Sequence, residues 1–304
     1  MKKITIFTPT YNRRNLLGRL YESLKAQTNK NFIWLVVDDG SSDNTEEVIN
    51  EYKKEKVVDI QYFYKENGGK HSAIDFAHAN CKTPYIACVD SDDYLTENAI
   101  EELEELIKEV DDKDDCVGIV MRRANIDLKP FSDKWPEKDG WLYFNELANK
   151  YDYTKDTFLI FKTEIVRKFH FPKVEGERFV TEKVLYNQFM FDYEMYASSK
   201  LIYIGEYQEG GYTAGALKLL FKNPKSCLYA FKSDSYYFTK YKINLNETIL
   251  AWGRFYVWRR LNKFKNLYKE EFKIKSFKKF LGWMFSLVLY FRYKKKQRIF
   301  KNGL

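Results

Sequence analysis

Apolar and polar positions follow a repeating order through the first third of the chain: a short apolar run, a turn, a helix-spaced stretch, then another run. Ile4-Thr5-Ile6-Phe7-Thr8 is a β-branched strand pattern stopped by Pro9. From Arg14 to Gln27, Leu16, Leu17, Leu20 and Leu24 recur at helical spacing. Phe32 to Val37 is a continuous apolar run, suited to a strand buried on both faces, and Asp38-Asp39-Gly40-Ser41-Ser42 breaks it with turn residues. Thr45 to Lys54 predicts a helix, Ile60 to Tyr64 a strand, His71 to about Asn80 a helix, Tyr85 to Val89 a fourth strand, and Glu97 to Val110 a closing helix. This β-α-β order predicts an α/β fold with parallel strands and right-handed crossovers. In such open sheets ligands bind at the carboxyl ends of the strands, where the polar clusters of this chain fall.

Beyond that unit the pattern changes. From about Cys116 to Gly210 short strands mix with polar loops, and Glu182 to Tyr196 reads as a helix. From about Leu217 the chain is helical, aromatic and basic. With no internal repeat and no Gly/Ser linker, the expected division is residues 1–210, with halves 1–110 and 111–210, followed by a helical extension over 211–304.

Composition narrows the class. The 304 residues are 45% hydrophobic and 31% charged, as in a folded chain rather than a disordered one. Aromatic residues make up 18%, which suits sugar or membrane-interface contact, although most such rings fill cores. A net charge of +8 fits nucleic acid, anionic lipid or an anionic substrate, and no nucleic-acid motif supports the first. Cys81, Cys88, Cys116 and Cys227 show neither CxxC nor zinc spacing and read as reduced thiols of a cytosolic protein. No apolar leader with a cleavage site is present, so no secretion signal is expected. An apolar run of roughly 18 residues, the length that spans a bilayer, is also missing from the sequence.

Candidate chemistry sits at the strand ends. Asp90-Ser91-Asp92-Asp93 follows the fourth strand; clustered carboxylates repel and call for a hard divalent cation, with substrate phosphates completing its shell. The competing reading is a solvated turn that caps the next helix. Asp38 and Asp39 end the second strand, where a carboxylate can accept a hydrogen bond from a uracil N–H or a ribose hydroxyl, and Tyr11 can stack on a base. Asn67-Gly68-Gly69-Lys70 combines flexible backbone with a cation at a helix start, which suits phosphate but lacks Walker spacing.

Taken together, Thr8-Pro9-Thr10-Tyr11-Asn12-Arg13, Val37-Asp38-Asp39-Gly40-Ser41-Ser42-Asp43, Asn67-Gly68-Gly69 and Val89-Asp90-Ser91-Asp92-Asp93 resemble the family 2 glycosyltransferases in order and spacing. The resemblance covers about the first hundred residues. It implies a GT-A fold, a Rossmann-like and mostly parallel sheet flanked by helices, with the donor held by the first half and the acceptor by the second. It further implies an inverting mechanism, a UDP-sugar donor, and Mn²⁺ or Mg²⁺ at the Asp-x-Asp motif. Donor-binding residues are then Pro9, Thr10, Tyr11, Asn12, Asp39, Asn67, Gly68, Gly69, Lys70, Asp90 and Ser91, with Asp90 meeting the ribose and Asp92 the metal.

The family's catalytic base commonly lies in a Glu-Asp pair opening a helix. Here the matching positions are Glu182 and Lys183, so the second acid is lost and Glu182 is the expected base. The alternative role for Glu182 is a capping acid; Glu177, Glu175 and Asp192 are the next candidate bases.

The tail carries Arg259, Arg260, Lys263, Lys265, Lys269, Lys273, Lys275, Lys278 and Lys279, then the apolar run Phe280 to Phe291, then Arg292, Lys294, Lys295, Lys296, Arg298 and Lys301. Such a run suits a helix lying in the interface of an anionic leaflet, giving peripheral attachment to the inner face of the cell membrane near a lipid-linked acceptor. A basic helix packed on the protein itself is the other reading. Cell-surface or capsular polysaccharide synthesis is the implied setting. A sugar nucleotidyltransferase, or an inactive sugar-nucleotide-binding scaffold, are the competing functions.

Overall fold

A computed structural model gives the fold, and the structure describes residues 2–206, 216–268, 273–274 and 276–302. In chain order the elements are β1 (Ile4–Thr10), α1 (Leu17–Lys25), β2 (Phe32–Asp38), α2 (Thr45–Glu55), β3 (Ile60–Tyr64), α3 (Lys70–Asn80), β4 (Tyr85–Cys88), β5 (Tyr94–Leu95) and α4 (Ala99–Val110). These match the expected strand–helix repeat. The second part adds β6 (Cys116–Arg122), β7 (Gly140–Tyr143), α5 (Phe144–Asn149), β8 (Thr157–Lys162), α6 (Thr163–Val166), α7 (Lys183–Tyr186), β9 (Glu194–Ser198) and β10 (Tyr203–Ile204). Four helices follow: α8 (Ala216–Lys222), α9 (Pro224–Lys240), α10 (Leu245–Leu261) and α11 (Phe277–Asn302).

The main sheet has eight strands in the order β3-β2-β1-β4-β8-β6-β9-β7. Strands β1 to β4 pair in parallel, β8 runs antiparallel between β4 and β6, and β9 is parallel to β6 and antiparallel to β7. The α/β class and the mostly parallel sheet flanked by helices are those expected. The continuous apolar run of β2 is buried along its whole length because helices cover both faces. Trp34 on β2 stacks with Tyr21 of α1, which stacks in turn on Tyr52 of α2, and the indole N–H donates to Thr8 Oγ1 at 3.0 Å. A ring of that size buries cheaply only when its polar tip finds such a partner.

The expected helix over Glu182 to Tyr196 is corrected. Only Lys183–Tyr186 is helical; turns follow, and Glu194–Ser198 becomes β9. Its alternating burial fits a strand, and its place between β6 and β7 satisfies backbone groups that a helix there would leave exposed on β6. Phe189, buried against Phe161 and Phe169, supplies the apolar spacing that mimics a helix in the sequence.

The chain divides into two compact units, Met1–His170 with Phe189–Tyr207, and Phe171–Gln188 with Gln208–Leu304. The segment holding α7 therefore groups with the C-terminal helices; the expected boundary at 210 lies outside the described residues. Within the second unit Trp252, Phe255 and Trp258 of α10 form a core with Cys227 and Leu228 of α9. Lys183 pairs with Asp234 at 3.1 Å, and Asn187 Nδ2 donates to the same carboxylate at 2.7 Å, tying α7 to α9.

Burial gives the first unit a pH-sensitive position. His78 lies in α3 with 5% exposure, and burial, aided by the charges of His170 and Arg167, lowers its imidazole to about 4. The unfolded chain binds this proton near pH 6.5 and the native state does not, so acidification favours unfolding. Stability contributed by this residue is expected to fall by about 3 kcal/mol as pH drops from roughly 6.5 to 4. Urea unfolding of wild type and His78→Gln at several pH values checks it: the variant should lose that part of the slope.

Candidate active site

Four loops at the carboxyl ends of β1, β2, β3 and β4 meet in the first unit. The loop after β1 and the loop after β2 are bonded directly. Asn12, in the left-handed region at φ 50°, accepts from the Ser42 N–H at 2.7 Å, and its own N–H donates to Ser41 Oγ at 2.9 Å. The Arg14 N–H donates to Asp43 at 2.9 Å. Burial works to raise the Asp43 carboxyl, but this bond and that from Thr45 hold it below its ordinary value. Pro9 and Thr10 end β1; the Thr10 hydroxyl is buried and lacks a partner among the described residues, while the Tyr11 ring is 47% exposed.

Asp39 joins the β2 loop to the Asn67-Gly68-Gly69-Lys70 loop. It is 3% exposed and accepts from Lys65 Nζ at 2.6 Å, the Gly68 N–H at 3.0 Å and the Gly69 N–H at 2.7 Å. A carboxylate offers about four acceptor directions, so roughly one is left for a ligand donor. Glycine is required at two points. Gly69 sits at φ +91°, and a Cβ on Gly40, itself at +88°, would stand 2.9 Å from the Asn67 backbone nitrogen. Lys70 then opens α3. His71 beside it is buried, and that burial lowers its imidazole, so the ring is neutral at pH 7.

After β4, the acidic run separates into two roles. Asp90 pairs with Lys70 at 2.7 Å and Asp92 with Arg13 at 3.1 Å, while Arg13 also donates to Ser91 Oγ at 3.3 Å. Burial acts to raise Asp90, yet Lys70, Arg123 and Arg13 together hold it below the usual carboxylate value. Asp93 points the other way, into the fold, where it meets Arg123 and accepts from the Tyr203 hydroxyl at 2.6 Å. Burial pushes the Asp93 carboxyl up to about 6 against the pull of Arg123. Tyr203 Oη also accepts from the Asp90 N–H at 3.2 Å, so this buried cluster fixes the loop from beneath. Arg19 donates to the Asp92 carbonyl and pairs with Glu206 at 2.7 Å, bracing it from the side.

Breaking that support has a predictable cost. Arg123→Met leaves Asp93 buried without its cation, and removing one partner of a buried pair costs about 3–5 kcal/mol. Thermal unfolding should show the loss, and Arg123→Lys should recover only part of it because the fork geometry is gone.

All the residues expected to bind donor or metal therefore gather at this edge: Pro9, Thr10, Tyr11, Asn12, Asp39, Asn67, Gly68, Gly69, Lys70, Asp90, Ser91 and Asp92. Among the described residues no group of three His, Cys, Asp or Glu side chains forms an all-protein metal cage. Asp92 offers carboxylate oxygen, the ligand type Mg²⁺ takes beside water and substrate phosphate. Arg13, Lys65, Arg19, Arg123 and Tyr203 complete the site without having been assigned from the sequence. Arg13 stood inside a quoted motif, whereas Arg123 and Tyr203 lie far along the chain and carry no local signal.

Glu182 belongs to the second unit. It precedes α7 but makes no side-chain cap bond to it; its carboxylate accepts from the Tyr186 hydroxyl at 2.9 Å. As the residue just before α7, its charge also stands at the N-terminal end of that helix's dipole. Glu177 does cap a helix: its two carboxylate oxygens accept from the Lys225 and Ser226 N–H groups at 2.8 and 2.7 Å, at the start of α9. Glu175 bonds through its carbonyl to Lys225 at 3.1 Å, and Asp192 lies in the turn before β9.

Comparison with known proteins agrees with this layout. The sequence profile described as "Glycosyl transferase family 2" matches residues 5–174. A glycosyltransferase of Rickettsia typhi is 38% identical over 111 residues, covering 36% of this chain and 34% of its own. The chain spans 14% to 34% of the length of the Rickettsia glycosyltransferases it matches. Among solved structures, residues 1–349 of TarS from S. aureus in complex with UDP-GlcNAc superpose with a TM-score of 0.62 at 16% identity, covering 96% of this chain and 92% of that one. A mannosyltransferase from Pyrobaculum calidifontis in complex with GDP-Man and Mn²⁺ gives 0.53 at 14% identity, over 95% and 87%. At those identities the likeness shows the GT-A fold.

Proposed function

Because the chain belongs to glycosyl transferase family 2 and is a glycosyltransferase, we propose that it moves a sugar from a UDP-linked donor to an acceptor hydroxyl with inversion, using Mn²⁺ or Mg²⁺. One observation carries this reading: Asp39, Lys70 and the pair Asp90 and Asp92 come from three loops to one sheet edge, held there by hydrogen bonds and ion pairs. The UDP-GlcNAc complex of TarS supports the choice of donor class. In this reading residues 1–110 bind the donor and 111–210 the acceptor.

Each residue then has a task. The remaining acceptor direction of Asp39 takes the uracil N–H, Tyr11 stacks on the base, and the Thr10 hydroxyl gains the ligand partner it lacks in the protein. Asp90 meets the ribose. Asp92 would hold the cation, which when bound neutralises the departing diphosphate as a Lewis acid. Lys70 and Arg13 add positive charge beside the same phosphates. Glu182, oriented by the Tyr186 hydroxyl, accepts the proton of the attacking hydroxyl. The assignment of the base rests on its motif position.

The acceptor is a glycan or lipid-linked glycan of the cell surface, and the protein works on the inner face of the membrane as a peripheral partner of anionic lipid. Incubating the protein with UDP-sugars and Mn²⁺, and measuring UDP release, tests the reaction. Pyrophosphate release would mark a nucleotidyltransferase, and donor binding with no UDP would mark a scaffold. The scaffold reading draws on Lys183, which replaces the second acid and is taken up by Asp234. Removing the metal with EDTA should stop UDP release, and adding Mn²⁺ should restore it.

A further inference from the structure

Helix α11 carries two apolar faces, and the fold uses only one. On the inner face Gly282, Ser286 and Leu289 are buried. Gly282 meets Gly253 of α10 so closely that a Cβ on Gly282 would lie 2.3 Å from the Trp252 Cβ and 3.1 Å from the Gly253 nitrogen. Phe285 and Leu289 lie beside Gly253. This crossing holds the helix to the core of its own unit.

The opposite face is open. Phe277, Phe280, Met284, Leu287, Val288 and Phe291 recur at helical spacing there, with exposures between 45% and 74%. Their ridge runs about 21 Å along the helix. Single exposed apolar residues are common, but six aligned on one helix form a docking surface.

Charge identifies what it docks to. Between residues 273 and 302 the sequence holds ten Lys and Arg and no Asp or Glu. Arg292, Lys295 and Arg298 are exposed just beyond the ridge, and Lys273 is exposed before it. A second copy of this ridge, related by a two-fold axis, would bring the same cations against one another, and like charges at an interface oppose association. Among the described residues no helix is long and apolar enough to cross a membrane. An apolar ridge flanked by cations matches instead the boundary between acyl chains and anionic headgroups.

We propose that the outer face of α11 is a pre-formed membrane-docking ridge, with its six apolar side chains in the acyl boundary of an anionic leaflet and the cations at its two ends on lipid phosphates. This deepens the membrane contact put forward under the proposed function and assigns it a surface. Because the inner face is already packed, docking needs no folding of the helix.

Flotation of the whole protein with phosphatidylcholine vesicles, with and without phosphatidylglycerol, tests the ridge. Wild type should float with the anionic vesicles and leave them as salt rises. The Trp283 region, at the ridge flank with 48% exposure, should bring a blue-shifted fluorescence on vesicle addition. Phe280→Ser with Phe291→Ser should cut vesicle binding roughly tenfold or more with circular dichroism and Tm unchanged. Lys295→Glu with Arg298→Glu should remove the preference for phosphatidylglycerol. Equal flotation with neutral and anionic vesicles overturns the proposal, as does wild-type binding by the double Phe variant. So does a wild-type dimer that the same variant turns into a monomer, which would assign the ridge to a second copy. Vesicle binding without any UDP release would sink the transferase chemistry proposed above and leave the ridge standing.

Discussion

Asp92→Ala is expected to abolish sugar transfer and to remove the Mn²⁺ dependence of donor binding. The four-residue run after β4 does not share its work evenly. Asp93 is committed to Arg123 and Tyr203 inside the fold, and Asp90 is paired with Lys70. Asp92 is the carboxylate whose partner, Arg13, sits partly in solvent with 31% of its side chain exposed. Asp92 itself is 16% exposed, so the pair is half-buried and the Tm of the variant is measured beside its activity. Titration with UDP-sugar in the presence and absence of Mn²⁺, beside a turnover assay, separates loss of the site from loss of the fold. A variant that turns over like wild type would remove Asp92 from the chemistry.

Glu182→Gln should lower turnover by about 10²- to 10⁴-fold, the usual contribution of a general base, while the donor binds as before. The amide keeps the shape of the side chain and can still accept from the Tyr186 hydroxyl, but it cannot take a proton. Glu177→Gln is the informative control. Its carboxylate serves the N-terminus of α9, where a negative charge stabilises the helix dipole, so its loss should appear in stability and not in the pH profile of turnover. Full activity of Glu182→Gln would pass the base to another acid.

The first hundred residues were legible because each element there obeys a local rule. The apolar run of β2, the leucine spacing of α1 and the glycines at Gly40 and Gly69 announce a strand, a helix and two tight turns without reference to anything distant. The loops they end in therefore fell at one edge as expected. What escaped the sequence depends on distant partners. Glu182 to Tyr196 has helical apolar spacing, but the open edge of β6 takes Glu194–Ser198 as a strand. Arg123 and Tyr203 reach Asp93 across 30 and 110 positions, a relation no local pattern encodes. The two faces of α11 were equally hidden, since one apolar run gave no sign of which residues Gly253 would claim.

The bonds around Asp39 have a consequence for how a ligand is met. One carboxylate fixes the backbone of Gly68 and Gly69 and, in the function proposed above, also meets the nucleobase. On that proposal the loops that would read the base and the phosphate share one anchor before any ligand arrives, so little loop entropy would be lost on association. An Asp39→Asn change should therefore weaken free UDP and intact UDP-sugar by the same factor, since both lose one common scaffold.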